Sequence, residues 1–159
     1  MTIYVDLSHV ELSPPSVVQF IEEQAAHKLR QSLLFKVSRD ALTQYRTKLP
    51  SESIVKLSQD EVDEINSHVK NSWTVNDWVV RDHIPCRSCG RILNFYDVFQ
   101  TGRKRHGNEY VVRFLTGREF HVLIRRYGDT IEVDCTSCDT SNKLFVAYDG
   151  ASYCCGSCK

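Results

Sequence analysis

Three Cys-x-x-Cys pairs constrain this 159-residue chain more than any other feature: Cys86/Cys89, Cys135/Cys138 and Cys155/Cys158. Two intervening residues let one tight turn aim both thiolates at an ion about 2.3 Å away, and two such turns complete a tetrahedron. A seventh thiol, Cys154, adjoins the third pair. Disulfides would compete for the same residues, but an odd count fits them poorly. The opening Met-Thr-Ile-Tyr-Val-Asp also lacks the basic head and apolar stretch of a secretory signal. An intracellular, reducing setting is expected, in which metal ligation outranks cross-linking. The densest apolar run, Leu33-Leu34-Phe35, falls far short of the roughly 18 residues that span a bilayer, so no membrane role is expected.

All seven cysteines follow residue 85, and the preceding residues read as helices. Ser13 and Pro14 open the first, with Val17, Ile21, Ala25, Leu29 and Leu33 at four-residue steps carrying it to about Phe35. Ser38 caps the second, whose Leu42, Tyr45 and Leu49 share a face before Pro50 stops it. Ser58 and Glu61 have capping-box spacing ahead of Val62, Ile65, Val69 and Trp73. Beyond residue 85 the period changes to two: Tyr110, Val112 and Phe114 alternate, then Phe120, Val122 and Ile124, with Thr116-Gly117-Arg118 as a hairpin loop between them. The expected fold is α+β: a three-helix unit over 1–82, then a zinc-stabilised antiparallel β domain over 83–159.

Sixteen residues separate the second and third cysteine pairs, a spacing usual for two halves of one zinc module. Between them Lys143 to Tyr148 reads as a strand, Asp149-Gly150 as a hairpin turn, and Ala151 to Cys154 as the return strand. Over about residues 131–159 the chain thus resembles the broad zinc-ribbon class, which implies a structural metal on Cys135, Cys138, Cys155 and Cys158. Cys86 and Cys89, eased by Gly90, also read as ligands, with His106 a candidate companion at the matching interval. One or two zinc ions are therefore expected. The rival arrangement puts Cys86, Cys89, Cys135 and Cys138 on one ion. The segments Ile84 to Leu93 and Glu119 to Arg125 are similar to one zinc half-domain of the papillomavirus early oncoprotein, a non-enzymatic adaptor. The interval between pairs is longer here and the third pair is foreign to that pattern, so no residue role is carried over.

Helical His-Glu-x-x-His, a Gly-x-Ser-x-Gly elbow, a phosphate-cradling glycine loop and the paired motifs of deaminases do not occur in the sequence. The reading therefore leans against an enzyme, without excluding a small one with an unrecognised site. Net charge is zero, yet residues 1–82 hold 9 Lys+Arg against 12 Asp+Glu, and residues 83–159 hold 11 against 8. Arg103, Lys104, Arg105, Arg113, Arg125 and Arg126 concentrate the positive charge. Such a window can meet backbone phosphates, so the leading expectation is a non-enzymatic interaction module for nucleic acid or a nucleoprotein complex. A protein-protein adaptor or inhibitor is the alternative.

Overall fold

Ser13, Ser38 and Ser58 each open a helix by accepting a first-turn amide, from Ser16, Ala41 and Glu61 respectively. At Ser58 the box is reciprocal: the Glu61 carboxylate accepts the Ser58 N–H at 2.8 Å. The computed structural model describes residues 2–27, 29–49, 51–70, 72–115, 120–124, 130–144 and 147–151. Its elements are β1 (Thr2–Asp6), α1 (Pro14–Ala25), β2 (Ser32–Val37), α2 (Arg39–Lys48), β3 (Ile54–Val55), α3 (Gln59–Val69) and β4 (Trp78–Arg81). Then come α4 (Phe95–His106), α5 (Asn108–Leu115), β5 (Phe120–Ile124), β6 (Ile131–Asp134), β7 (Ser141–Leu144) and β8 (Ala147–Ala151).

Six strands form one sheet in the order β1-β2-β5-β8-β4-β3, with β1 and β2 parallel and the other pairs antiparallel. Period-two alternation sends Val122 and Ile124 into a core with Val18 and Ile21 of α1 and Leu42 of α2. Leu123, between them, enters a second core on the opposite face with Ile65 of α3, Phe99 of α4 and Leu115 of α5. Helices therefore cover both faces of the sheet. Trp78 is the keystone of the second core: it is fully buried, its ring stacks on Phe95 at 4.2 Å, and it meets Trp73 edge-on at 5.6 Å.

Four sequence expectations change. The first helix does not reach Phe35; it is capped at Ala26, and Leu33-Leu34-Phe35 lies in β2. A strand paired on both sides and packed on both faces favours a continuous apolar run, which mimics helical spacing. Residues Tyr110, Val112 and Phe114 belong to α5 rather than a strand, because the positions that pack are Val111 and Leu115, four apart and buried. Asp149 and Gly150 lie within β8, opposite Val79 and Trp78, so pairing along the strand overrides their local turn preference. Finally, the three helices before residue 83 are interleaved with strands β1 to β4, which share one sheet with β5 and β8 from after it. The Thr116-Gly117-Arg118 loop lies outside the described residues.

Candidate metal centre

Two short cysteine loops build the site, one of them at the end of the small sheet that β6 and β7 form. The second Cys-x-x-Cys caps the β6–β7 hairpin, in which Asp134 pairs with Ser141. The first lies between Pro85 and Ile92, which bridge each other, and the Leu93 N–H donates to the Ile84 carbonyl at 2.9 Å. The two turns repeat one hydrogen-bond pattern. The Cys86 N–H donates to the Arg91 carbonyl at 2.7 Å, and the Gly90 N–H donates back to the Cys86 carbonyl at 3.0 Å. Likewise the Cys135 N–H donates to the Thr140 carbonyl at 3.0 Å, and the Asp139 N–H to the Cys135 carbonyl at 2.8 Å. Each turn needs a left-handed residue after its second cysteine, supplied by Gly90 at φ 78° and Asp139 at φ 60°. Glycine adopts this region freely and aspartate tolerates it better than most residues.

The consequence is a cluster of four sulphurs, those of Cys86, Cys89, Cys135 and Cys138, all within 4.8 Å of one another. Cys86 Sγ lies 3.6 Å from Cys138 Sγ, and Cys89 Sγ lies 3.5 Å from Cys135 Sγ. A tetrahedron with sulphurs about 2.3 Å from a central ion has edges of about 3.8 Å. A disulfide would need about 2.05 Å. The donor set therefore fits a divalent thiophilic metal such as zinc. Cys86 and Cys135 are buried against Leu93, whereas Cys89 and Cys138 reach the surface.

Hydrogen bonds from the surrounding chain prepare the sulphurs for negative charge. The Ser88 N–H and the Asn142 amide approach Cys86 Sγ at 3.5 and 3.6 Å. Asn142 is itself fixed, accepting the Arg87 N–H at 3.0 Å and donating to the Thr140 carbonyl at 2.9 Å. The backbone amides of Cys89 and Ser88 bring the Cys86 thiol down to about 6, against the opposing effect of burial. Cys138 is lowered first by the Thr140 hydroxyl, 3.2 Å away, and then by the Thr140 backbone. Cys89 has help from the Arg91 backbone, yet the Cys135 thiol, burial and the other two thiols push it up to about 11. Four adjacent thiolates repel one another, and a bound cation removes that conflict.

A polar network ties both turns to the helices. Asp97, in the first turn of α4 and fully buried, accepts Arg91 Nε at 3.1 Å, the Asn94 N–H at 2.9 Å, and both the N–H and hydroxyl of Thr136 at 2.9 Å. Arg91 continues to Glu61 of α3 at 2.6 Å. These residues carry no metal-ligand signature of their own. Their sequence signal is the Asn94-x-x-Asp97 capping spacing, which the structure realises as a reciprocal box.

The structure thus joins the first and second cysteine pairs, whereas the ribbon spacing pairs the second with the third; Cys155 and Cys158 lie outside the described residues. His106 stands at the end of α4, its ring 4.9 Å from Tyr110, and is not a member of the four-sulphur group. The described cations of the basic window lie at the surface, and several are paired or hydrogen-bonded there. Lys104 reaches Asp134 at 3.1 Å, while Arg105 reaches Asp134 at 2.9 Å and Glu132 at 2.8 Å. Arg103 bonds Gln100 and Asn108 and lies over Phe99. Arg113 is well exposed, 3.4 Å from Glu109; Arg125 and Arg126 lie outside the described residues. Among the described residues no helix is long and apolar enough to cross a membrane.

Fold and site together define a mixed helix-and-sheet protein with a four-cysteine centre compatible with a metal ion. The chain belongs to the family described as Domain of unknown function (DUF8243), matched over residues 26–156, a span that holds all four clustered cysteines. Comparison with curated proteins and with solved structures finds no match.

Proposed function

We propose that Cys86, Cys89, Cys135 and Cys138 hold one zinc ion as a closed structural centre, and that the protein acts as a non-enzymatic interaction module built around it. The observation that carries this reading is the pair of matching turns whose sulphurs stand 3.5 and 3.6 Å apart across the gap, near the tetrahedral edge. Four thiolates fill the coordination shell and leave no position for water or substrate, so the ion's contribution is to folding. Structural zinc binding is worth on the order of 10 kcal/mol, comparable with the whole stability of an ordinary domain.

A protein partner fits the charge arrangement better than a nucleic acid does. Among the described residues of the window, Lys104 and Arg105 are paired at the surface with Asp134 and Glu132, which offsets part of the positive charge they offer to phosphates. Elemental analysis of purified protein tests the metal reading: about one zinc per chain, lost with a cooperative fall in thermal stability on chelation. Metal-free, fully folded protein would refute it. Retention on nucleic acid that declines steeply with salt would shift the partner back to nucleic acid.

A further inference from the structure

Val98 and Gly102, one helical turn apart on α4, form the divide between two recesses. On one side Phe95 and Phe99 of α4 and Val111 and Leu115 of α5 enclose an apolar cavity of about 140 Å³, with the exposed ring of Tyr110 at its wall. Voids of this size are few in close-packed interiors, and an apolar cavity of about 150 Å³ admits a benzene ring. On the other side a cleft of about 350 Å³ runs between α4 and β6. Gly102 is the low point of the divide. It is half-buried and carries no side chain, and a Cβ there would stand 3.1 Å from Val111 Cγ2.

The open edge of β6 faces the cleft. Among the described residues β7 is the one strand paired with β6. Backbone directions alternate along a strand, and the Cys135 N–H donates to the Thr140 carbonyl beside β7. Val133 and Ile131 therefore turn their backbone groups to β7, whereas Asp134 and Glu132 turn theirs away. The Asp134 N–H accordingly donates to Thr101 Oγ1 of α4. The N–H and C=O of Glu132 point the same way and have no partner among the described residues. Such an edge is a template for an added strand. Charge adds a third element. Arg103 lies over the cavity residue Phe99 at 5.6 Å and bonds the neutral Gln100 and Asn108, with no carboxylate partner among the described residues.

We propose that this surface docks an extended peptide of the partner protein. One aromatic side chain fills the cavity between α4 and α5, a neighbouring acidic residue meets Arg103, and the main chain crosses α4 at Gly102 to pair with Glu132 of β6. This rests on the protein-partner reading and names the segment that the module recognises. Each part of the occupant answers one feature of the surface. The cavity has room for a single ring, Arg103 is the cation beside it that lacks a carboxylate, and the missing side chain at Gly102 opens the passage to the strand edge. Arg105 lines the same cleft and keeps its ion pairs with Glu132 and Asp134, because the peptide takes the backbone of Glu132 and not its carboxylate.

The test uses the full, zinc-loaded chain and a fluorescent, end-blocked peptide Ser-Thr-Glu-Phe-Glu-Thr-Ser. Three control peptides replace Phe by Ala, replace both Glu by Lys, or methylate the backbone nitrogens of both Thr. Anisotropy titration is expected to show binding of the parent peptide and at least about tenfold weaker binding of each control. Amide NMR shifts caused by the parent peptide should centre on Val98, Gly102, Val111 and Glu132. Val98→Gln, which sets a polar chain on the divide, should weaken binding by a similar factor with zinc content unchanged; the control peptides carry the test on the natural chain if that variant does not fold. No binding at about 1 mM peptide, binding indifferent to any of the three changes, or shifts centred elsewhere overturns the proposal. Toluene that raises the melting temperature while the peptide does not bind overturns it in favour of a free arene. Salt-steep retention of the same sample on nucleic acid overturns the protein-partner reading itself.

Discussion

The Asp97 carboxylate accepts both the backbone N–H and the side-chain hydroxyl of Thr136, each at 2.9 Å, so the first turn of α4 holds the second cysteine turn directly. The same carboxylate holds Arg91, whose carbonyl closes the first cysteine turn. One buried side chain thereby sets the distance between the two halves of the metal centre. Asp97→Ala leaves the buried part of Arg91 and the Thr136 amide without their acceptor, and should cost about 3–5 kcal/mol in denaturant unfolding. Thr136→Val removes only the hydroxyl bond and should cost about 1 kcal/mol. Zinc affinity should fall by about 10- to 100-fold in the Asp97 variant, as it does when outer partners of metal ligands are lost. Equal effects from the two substitutions would show that Asp97 does not organise the centre.

The ligand assignment separates two cysteine partitions that sequence spacing leaves open. Cys86→Ser or Cys135→Ser should abolish binding of the ion held at this centre and lower the melting temperature. Cys155→Ser with Cys158→Ser should leave that ion in place. Zinc content and thermal melting of each purified variant check this. Loss of the ion from the Cys155/Cys158 variant, with retention in Cys86→Ser, would restore the ribbon partition.

Local signals were legible because their physics is local. The caps at Ser13, Ser38 and Ser58 and the packing positions Val62, Ile65 and Val69 depend on residues within one or two turns and are present as read, whereas Trp73, read on the same stripe, lies beyond the end of α3 at Val69. The strand Phe120–Ile124 was legible from its alternation, but its partners β2 and β8 were not, since pairing is decided by residues far away in sequence. Long-range context also turned Asp149-Gly150 from a turn into strand and Leu33 to Phe35 from helix into strand. At the site, each Cys-x-x-Cys announced a ligand pair, but spacing could not say which pairs meet. A finer signal lay in Gly90 and Asp139, which follow their pairs and suit the left-handed backbone; the third pair is followed by Lys159.

Glu61 supplies a pH test of the link between α3 and the centre. Burial raises its carboxyl, but the Ser58 backbone, Arg91 and Asn94 together outweigh that and hold it below its ordinary value of 4.5. A carboxyl lowered in the folded state stabilises the fold fully above the unfolded value. That contribution fades as pH falls from about 4.5 through the depressed folded value. The melting-temperature gap between the protein and Glu61→Gln should therefore be constant above pH 5.5 or so and shrink below about 4.5. A gap that does not vary with acidification would mean that Glu61 acts through packing alone.

The charge arrangement around Asp134 yields the sharpest test of partner class. Asp134 is nearly buried, and although burial raises its carboxyl, Lys104 and Arg105 outweigh that and keep it below the usual range. Its backbone N–H is also occupied, donating to Thr101 Oγ1 at 2.9 Å, so the side chain is well placed to hold both cations. If these pairs weaken the basic window, Asp134→Asn should free Lys104 of its acidic partner and leave Arg105 with Glu132 alone. Fluorescence anisotropy with unrelated single- and double-stranded probes should then show weak binding by the natural chain and tighter binding by the variant. Each freed cation that neutralises a phosphate of duplex DNA steepens the logarithmic salt dependence by about 0.9, so Lys104 alone should add about 0.9 to the slope. Tight, salt-steep binding by the natural chain, unchanged in Asp134→Asn, would count against the protein-partner reading. The phosphate contacts would then be assigned to Arg113, Arg125 and Arg126, and replacing those three by Ala should abolish them.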